Sequence, residues 1–335
     1  MSLSRHLPGS RRAAAVASGL ITPPASSQSL PPSSLSNPNS NSNSSPSIST
    51  PLAQSRNLTQ SNRSLHLFNQ SQLIPRSTCK MSTMPAQHGH SEACCNIPPV
   101  VSKGYDAKGT YEEVGGFKSY VTGPKDATKG IISIYDIFGF YPQTLQGADI
   151  LATADHANKY RIFMPDWFAG EPCPIEWFPP DTEEKQKKLG GFFQKNPPPG
   201  VAAKVPAYVE AVSAKYPEIK SWAIIGFCWG GKVVSLVTSK PNTIFKAGVE
   251  CHPAMVDPAD ASGIKVPLAL LASKDEPAED VKKFEANLSG PKHVEIFGDQ
   301  IHGWMAARSD LEDDRVRAEY TRGYETVLKF LSKHV

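Results

Sequence analysis

The 335-residue chain carries 35 Lys+Arg against 32 Asp+Glu, a formal +3, but the charge is split along its length. Seven basic residues (Arg5, Arg11, Arg12, Arg56, Arg63, Arg76, Lys80) and no acidic ones precede Glu92, so the remainder is mildly acidic. Such a body has no electrostatic reason to seek nucleic acid, and the absence of an apolar run of about 18 residues argues against a membrane-spanning helix.

Residues 1–90 read as a leader separate from a globular body over 91–335. Ser, Pro and Asn dominate 24–50, too little apolar surface to offset the entropy of ordering. An Arg-rich, Ser-rich, acid-free leader has the character of an organelle transit peptide, and the predicted destination is the mitochondrion. A secretory reading would use Ala13–Ile21 as its apolar core, which Ser18 and Gly19 weaken. Translation starting at Met81 or Met84 would instead give a cytoplasmic body. His88, His90, Cys94 and Cys95 lack the two-plus-two spacing of a zinc finger. The six cysteines form no evenly spaced framework, which fits a reducing compartment.

Along the body, Gly130–Tyr135 predicts a buried strand, ending at Asp136-Ile137-Phe138-Gly139. A helix is expected over 144–159, a strand over Tyr160–Met164, and a Pro-, Gly- and aromatic-rich excursion over 170–200. Trp177, Phe178, Phe192 and Phe193 there, with Trp167 and Phe168 just before, either shape an acyl pocket or cover apolar surface. A helix follows over 201–215, then a strand over Trp222–Phe227, a helix over 232–238 and a strand over Phe245–Glu250. A strand over Val266–Ser273, a helix over 278–288, a strand over His293–Phe297 and an amphipathic helix over 309–334 complete the pattern. Alternating strands and helices predict an α/β fold with a mostly parallel, doubly wound sheet and helices on both faces. Sites in such folds gather at the carboxyl ends of the strands.

The sharpest motif is Gly226-Phe227-Cys228-Trp229-Gly230, directly after one strand and directly before a helix. This is the nucleophile elbow, with Cys where Ser is usual. The flanking glycines let strand and helix pack closely, and the thiol projects at a helix N-terminus, where free N–H groups favour negative charge. A cysteine nucleophile needs a base, and the base an orienting carboxylate. In the order nucleophile, acid, His, the candidates are Cys228, Asp275 and His302, each just past a strand. Glu276, one residue further from its strand, and Asp299, in the same loop as His302, are less favoured acids. His252 also follows a strand but precedes the acid, so it is expected to line the pocket.

With these residues in place, the chain resembles the dienelactone hydrolase family across roughly residues 94–335, including Cys94-Cys95 and Pro98-Pro99 as in fungal members. The resemblance implies an α/β-hydrolase fold with a triad mapping onto Cys228, Asp275 and His302. It implies an oxyanion hole from the backbone N–H groups of Ile137 and Trp229. It places Asp136 where the family has a Glu thought to hold the thiol, one methylene shorter here. Of the arginines that bind a substrate carboxylate in bacterial members, one falls four residues after the His. That position is Ala306 here, and Arg308 is the nearest candidate. The expected function is hydrolysis of a small-molecule ester or lactone, with no metal or organic cofactor required. The alternatives are a thioesterase or carboxylesterase of other acyl substrates, or a non-catalytic binding protein of the same fold. Oligomeric state and natural substrate are left open.

Overall fold

The computed structural model describes residues 102–335; the leader, Met81, Met84 and the His88–Cys95 cluster lie outside the described residues. Two strands open the described part. Thr110–Val114 (β1) and Phe117–Thr122 (β2) pair antiparallel, with Val114 opposite Phe117. That register leaves Gly115-Gly116 as a two-residue turn with φ of +59° and +80°. Two successive positive φ values are disfavoured for most side chains and cost glycine nothing, so the glycine pair closes the hairpin.

Six further strands follow: Lys129–Ile134 (β3), Tyr160–Pro165 (β4), Ser221–Phe227 (β5), Phe245–Cys251 (β6), Leu268–Ser273 (β7) and Lys292–Phe297 (β8). The sheet order is β1-β2-β4-β3-β5-β6-β7-β8. β2 meets β4 antiparallel, and every pair from β4 to β8 is parallel. The sheet is therefore mostly parallel, as the alternating pattern predicts. Ile131, Ile132, Ala223, Ile224, Ile225 and Leu268 to Ala272 are fully buried, which is why these strands read as unbroken apolar runs.

The chain runs from β3 to β4 in one direction, then returns across β3 to lay down β5 and continues to β8. Right-handed crossovers therefore put the helix after β3, Pro142–Thr153 (α1), and the helix after β5, Trp229–Thr238 (α5), on opposite faces. The reversal between β3 and β5 opens a crevice at their carboxyl ends, where Asp136-Ile137 and Cys228 lie.

The excursion after β4 holds a 3₁₀ turn (Ile175–Trp177) and helices Glu183–Lys195 (α2) and Pro198–Ala202 (α3). Several helix boundaries differ from expectation for local reasons. α1 stops at Thr153 because Asp155 captures the N–H groups of Ala157 and Asn158 on Oδ1 at 3.1 and 2.9 Å. The helix expected over 201–215 is divided. Pro206 has no N–H to extend α3 and sits in the first turn of Val205–Lys215 (α4) instead. After Pro258–Ala261 (α6) and Ala278–Asn287 (α7), the last helix, Asp314–His334 (α8), starts late because Asp313 Oδ1 caps Arg315 and Val316 N–H at 2.8 and 3.0 Å. Among the described residues, no helix is long and apolar enough to cross a membrane.

Candidate active site

The elbow forms because three backbones meet where side chains would not fit. A Cβ on Gly226 would lie 2.1 Å from the Gly230 carbonyl oxygen, and one on Gly230 would lie 2.3 Å from that of Ile134. Cys228 takes φ +52°, ψ −114°, an unfavourable conformation for a residue with a side chain. Surrounding hydrogen bonds hold it there. Its N–H donates to the Cys251 carbonyl at 3.0 Å, and its carbonyl accepts from Gly231 and Ala254 at 3.0 and 2.9 Å. The thiol is partly exposed, in contrast to buried Cys173 and Cys251.

Trp229 is the first residue of α5, so its N–H has no acceptor inside the helix. Ile137 follows β3 in a turn closed by Gly139 (φ +74°), and its carbonyl accepts from Cys173 N–H at 2.8 Å. Neither Ile137 nor Trp229 is a backbone donor among the turn and loop hydrogen bonds of the described residues. The Trp229 indole packs on Phe168, 5.0 Å between ring centres, and donates to the Asn196 carbonyl at 2.9 Å. Phe168 in turn stacks on Phe192. Part of the aromatic excursion therefore braces the elbow. Trp167 packs instead against Phe117 and Tyr208.

His302 is held at one ring nitrogen and at both backbone polar groups. Its ring Nδ1 lies 2.6 Å from Glu276 Oε1, which leaves Nε2 as the free ring nitrogen. Its backbone N–H donates to Asp275 Oδ2 at 2.8 Å, and its carbonyl accepts from Arg308 Nη1 at 2.6 Å. This corrects the expected acid: the carboxylate at the imidazole belongs to Glu276, whereas Asp275 reaches only the histidine backbone. The cause is the turn after β7. Asp275 N–H donates to Ser273 Oγ at 3.2 Å, and Glu276 folds back to accept from Ser273 N–H. That curl points Glu276 inward, where its side chain is 3 % exposed, and leaves Asp275 on the surface. Burial by itself would lower the His302 pKa, but the Glu276 hydrogen bond and the charges of Cys228 and Glu276 outweigh it and raise the pKa to about 10.

Asp136 is fully buried, and burial raises its pKa to about 6 against the lowering effect of two backbone hydrogen bonds. Its Oδ1 accepts from Phe138 N–H at 2.9 Å and its Oδ2 from Ala307 N–H at 3.1 Å. The contacts that engage this shorter carboxylate are therefore backbone N–H groups, and they tie the turn carrying Ile137 to the loop carrying His302.

His252 is fully buried at φ +38°, with its ring 5.3 Å from that of His302 and tilted edge-on. Burial, and then the neighbouring His302, hold its pKa well below the ordinary imidazole value, so it stays neutral. It backs the site instead of taking the base position. Arg308 lies over the Phe178 ring at 4.5 Å, half-buried beside His302. Cys173 stands next to Ile137; burial raises its pKa to about 11, with the charges of Asp136, Glu176 and Cys228 adding to that. A cavity of about 300 Å³ lined by Pro206, Val237 and Ile244 lies at the opposite edge of the sheet.

The family model for the dienelactone hydrolase family matches residues 117–335. An AIM2-family protein of Schizosaccharomyces pombe, itself uncharacterised, is 37 % identical over 236 residues, covering 68 % of this chain and 92 % of the relative. A carboxymethylenebutenolidase homologue of Xenopus tropicalis is 28 % identical over 260 residues, covering 73 % and 99 %. The crystal structure of a dienelactone hydrolase from Anabaena variabilis superposes with a TM-score of 0.50 at 14 % identity, covering 68 % of this chain and 97 % of that one, and so shares its fold. The chain belongs to the dienelactone hydrolase family and is an α/β-fold hydrolase.

Proposed function

We propose that the protein hydrolyses a carboxylic ester or lactone through Cys228 as nucleophile, with His302 as proton carrier and Glu276 as its orienting carboxylate. The observation that carries this reading is His302 itself, bound through Nδ1 to a buried carboxylate and close enough to Cys228, on a strained elbow, to feel its charge. In the attacking state His302 carries the proton taken from the Cys228 thiol. Sγ attacks the carbonyl carbon, and the oxygen that becomes negative lies against the N–H groups of Ile137 and Trp229. The C–O bond breaks as His302 gives its Nε2 proton to the leaving alkoxide, and an acyl-thioester remains on Cys228. His302 then takes a proton from water, whose oxygen attacks the thioester and releases the acid and the thiolate. Glu276 holds the ring in one tautomer and stabilises its charge throughout.

Asp136 braces the two loops that must keep register, and Arg308 offers a cation for a substrate carboxylate. The experiment is a panel of esters and lactones on wild type and Cys228→Ala. Wild type is expected to turn over at least one class with a burst of one equivalent per Cys228. Cys228→Ala is expected to lose turnover with unchanged circular dichroism, and retained turnover in that variant would refute the reading.

A further inference from the structure

Among the described residues, the exposed large apolar side chains are Tyr111, Ile175, Ile244, Met255, Ile296 and Ile301. Three of these, Ile175, Met255 and Ile301, lie on the loops beyond β4, β6 and β8, on the carboxyl edge that carries Cys228. Each is tied to the site. Ala254, beside Met255, donates its N–H to the Cys228 carbonyl at 2.9 Å. Ile301 directly precedes His302. The Ile175 carbonyl accepts from Phe178 at 3.0 Å, and the Phe178 ring carries the Arg308 guanidinium that donates to the His302 carbonyl.

Met255 adds a second, independent observation. It stands at φ +57° while 49 % exposed. A long side chain in the left-handed region is disfavoured, and leaving its apolar surface in water forgoes the usual gain of burial. Cys228 at φ +52° and His252 at φ +38° are strained on the same edge. Strain concentrated at one edge marks side chains held in place for a task other than packing.

We infer that Ile175, Met255 and Ile301 form an apolar rim around the thiol that receives the hydrocarbon part of the substrate. The part of the ester that lies against the rim is therefore an uncharged alkyl or aryl group of medium length. This rests on Cys228 being the nucleophile, and it deepens that reading by assigning what lies beside the scissile bond. A macromolecule seated on the same rim would cover the thiol and exclude substrate.

The test uses the full chain and reads modification of Cys228 by N-alkylmaleimides, followed by peptide mass spectrometry, with free glutathione correcting for intrinsic reactivity. Full burial of a methylene is worth roughly a fourfold rate factor, and a one-sided rim recovers about half of that free energy. Wild type is expected to react about fifteenfold faster with N-hexylmaleimide than with N-ethylmaleimide. The ratio should fall to about one in a Met255→Asn, Ile301→Ser double variant, Asn being tolerated at positive φ. Ile244→Ser, at the opposite edge, should keep the wild-type ratio. A flat series in wild type, a slope that survives in the double variant, or no modification of Cys228 overturns the rim. Alkylation does not require turnover, so a flat series with intact ester hydrolysis removes the rim alone. A steep series with hydrolysis retained by Cys228→Ala removes the nucleophile alone.

Discussion

Two adjacent carboxylates after β7 make different contacts with one histidine, one with its ring and one with its backbone, and their removal should have very unequal consequences. Glu276 meets His302 Nδ1 at 2.6 Å with its side chain 3 % exposed. At a charge separation of about 4 Å and an effective dielectric of about 20, a carboxylate stabilises an imidazolium by about 4 kcal/mol. Glu276→Gln removes that charge and keeps the shape, so kcat/KM is expected to fall about 10³-fold. Asp275 is exposed and touches only the His302 backbone N–H. Asp275→Asn retains an acceptor oxygen there, so a loss under about threefold is expected.

The assay is kcat/KM for a p-nitrophenyl ester from pH 6 to 11. The pH profile adds a second readout of the same contact. With the His302 pKa raised to about 10, the imidazolium persists to high pH and activity is lost as pH rises through that value. Without Glu276 the imidazolium is held less firmly, so the loss moves to lower pH. Asp275→Asn losing as much activity as Glu276→Gln, or an unmoved alkaline limb in Glu276→Gln, would refute the assignment.

Glu250 is buried under α5 with its Oε1 accepting from Ser235 Oγ at 2.6 Å, and burial raises its pKa to about 8. For an acid raised on folding, the cost of ionisation is absent below its unfolded value and grows as pH rises to the folded one, at about 1.4 kcal/mol per pH unit. Denaturant melts of Glu250→Gln should therefore lose the decline in stability that wild type shows between pH 5 and 8, and a parallel decline in both would refute this. Gly230→Ala places a Cβ 2.3 Å from a backbone oxygen that has no room to move, so soluble folded yield should collapse; a folded, active variant would show the elbow to be looser than described. For the leader, we propose import into mitochondria: residues 1–90 fused to a fluorescent reporter should enter the organelle and the chain from Met84 should not, and a cytosolic signal from both would refute it.

Which features were legible in the sequence follows from the range of the forces involved. Period, turn chemistry and steric necessity act over a few residues. They suffice for the parallel strands and for the turn that sets Cys228 between Gly226 and Gly230. The β1–β2 hairpin is equally local, since Gly115-Gly116 between Val114 and Phe117 is a two-residue turn signal. The acid was different. Asp275 and Glu276 are neighbours, and order along the chain cannot say which one turns inward; the curl closed through Ser273 decides it, together with the depth at which His302 presents Nδ1. Asp136 could be marked as unusual from its position after a buried strand. That its oxygens would meet Phe138 and Ala307, the latter 171 residues away, was set only when the loops after β3 and β8 met at the sheet edge. The apolar rim is also tertiary: Ile175, Met255 and Ile301 are unremarkable residues in three separate loops, and the reversal of strand order between β3 and β5 gathers those loops on the edge that carries the thiol.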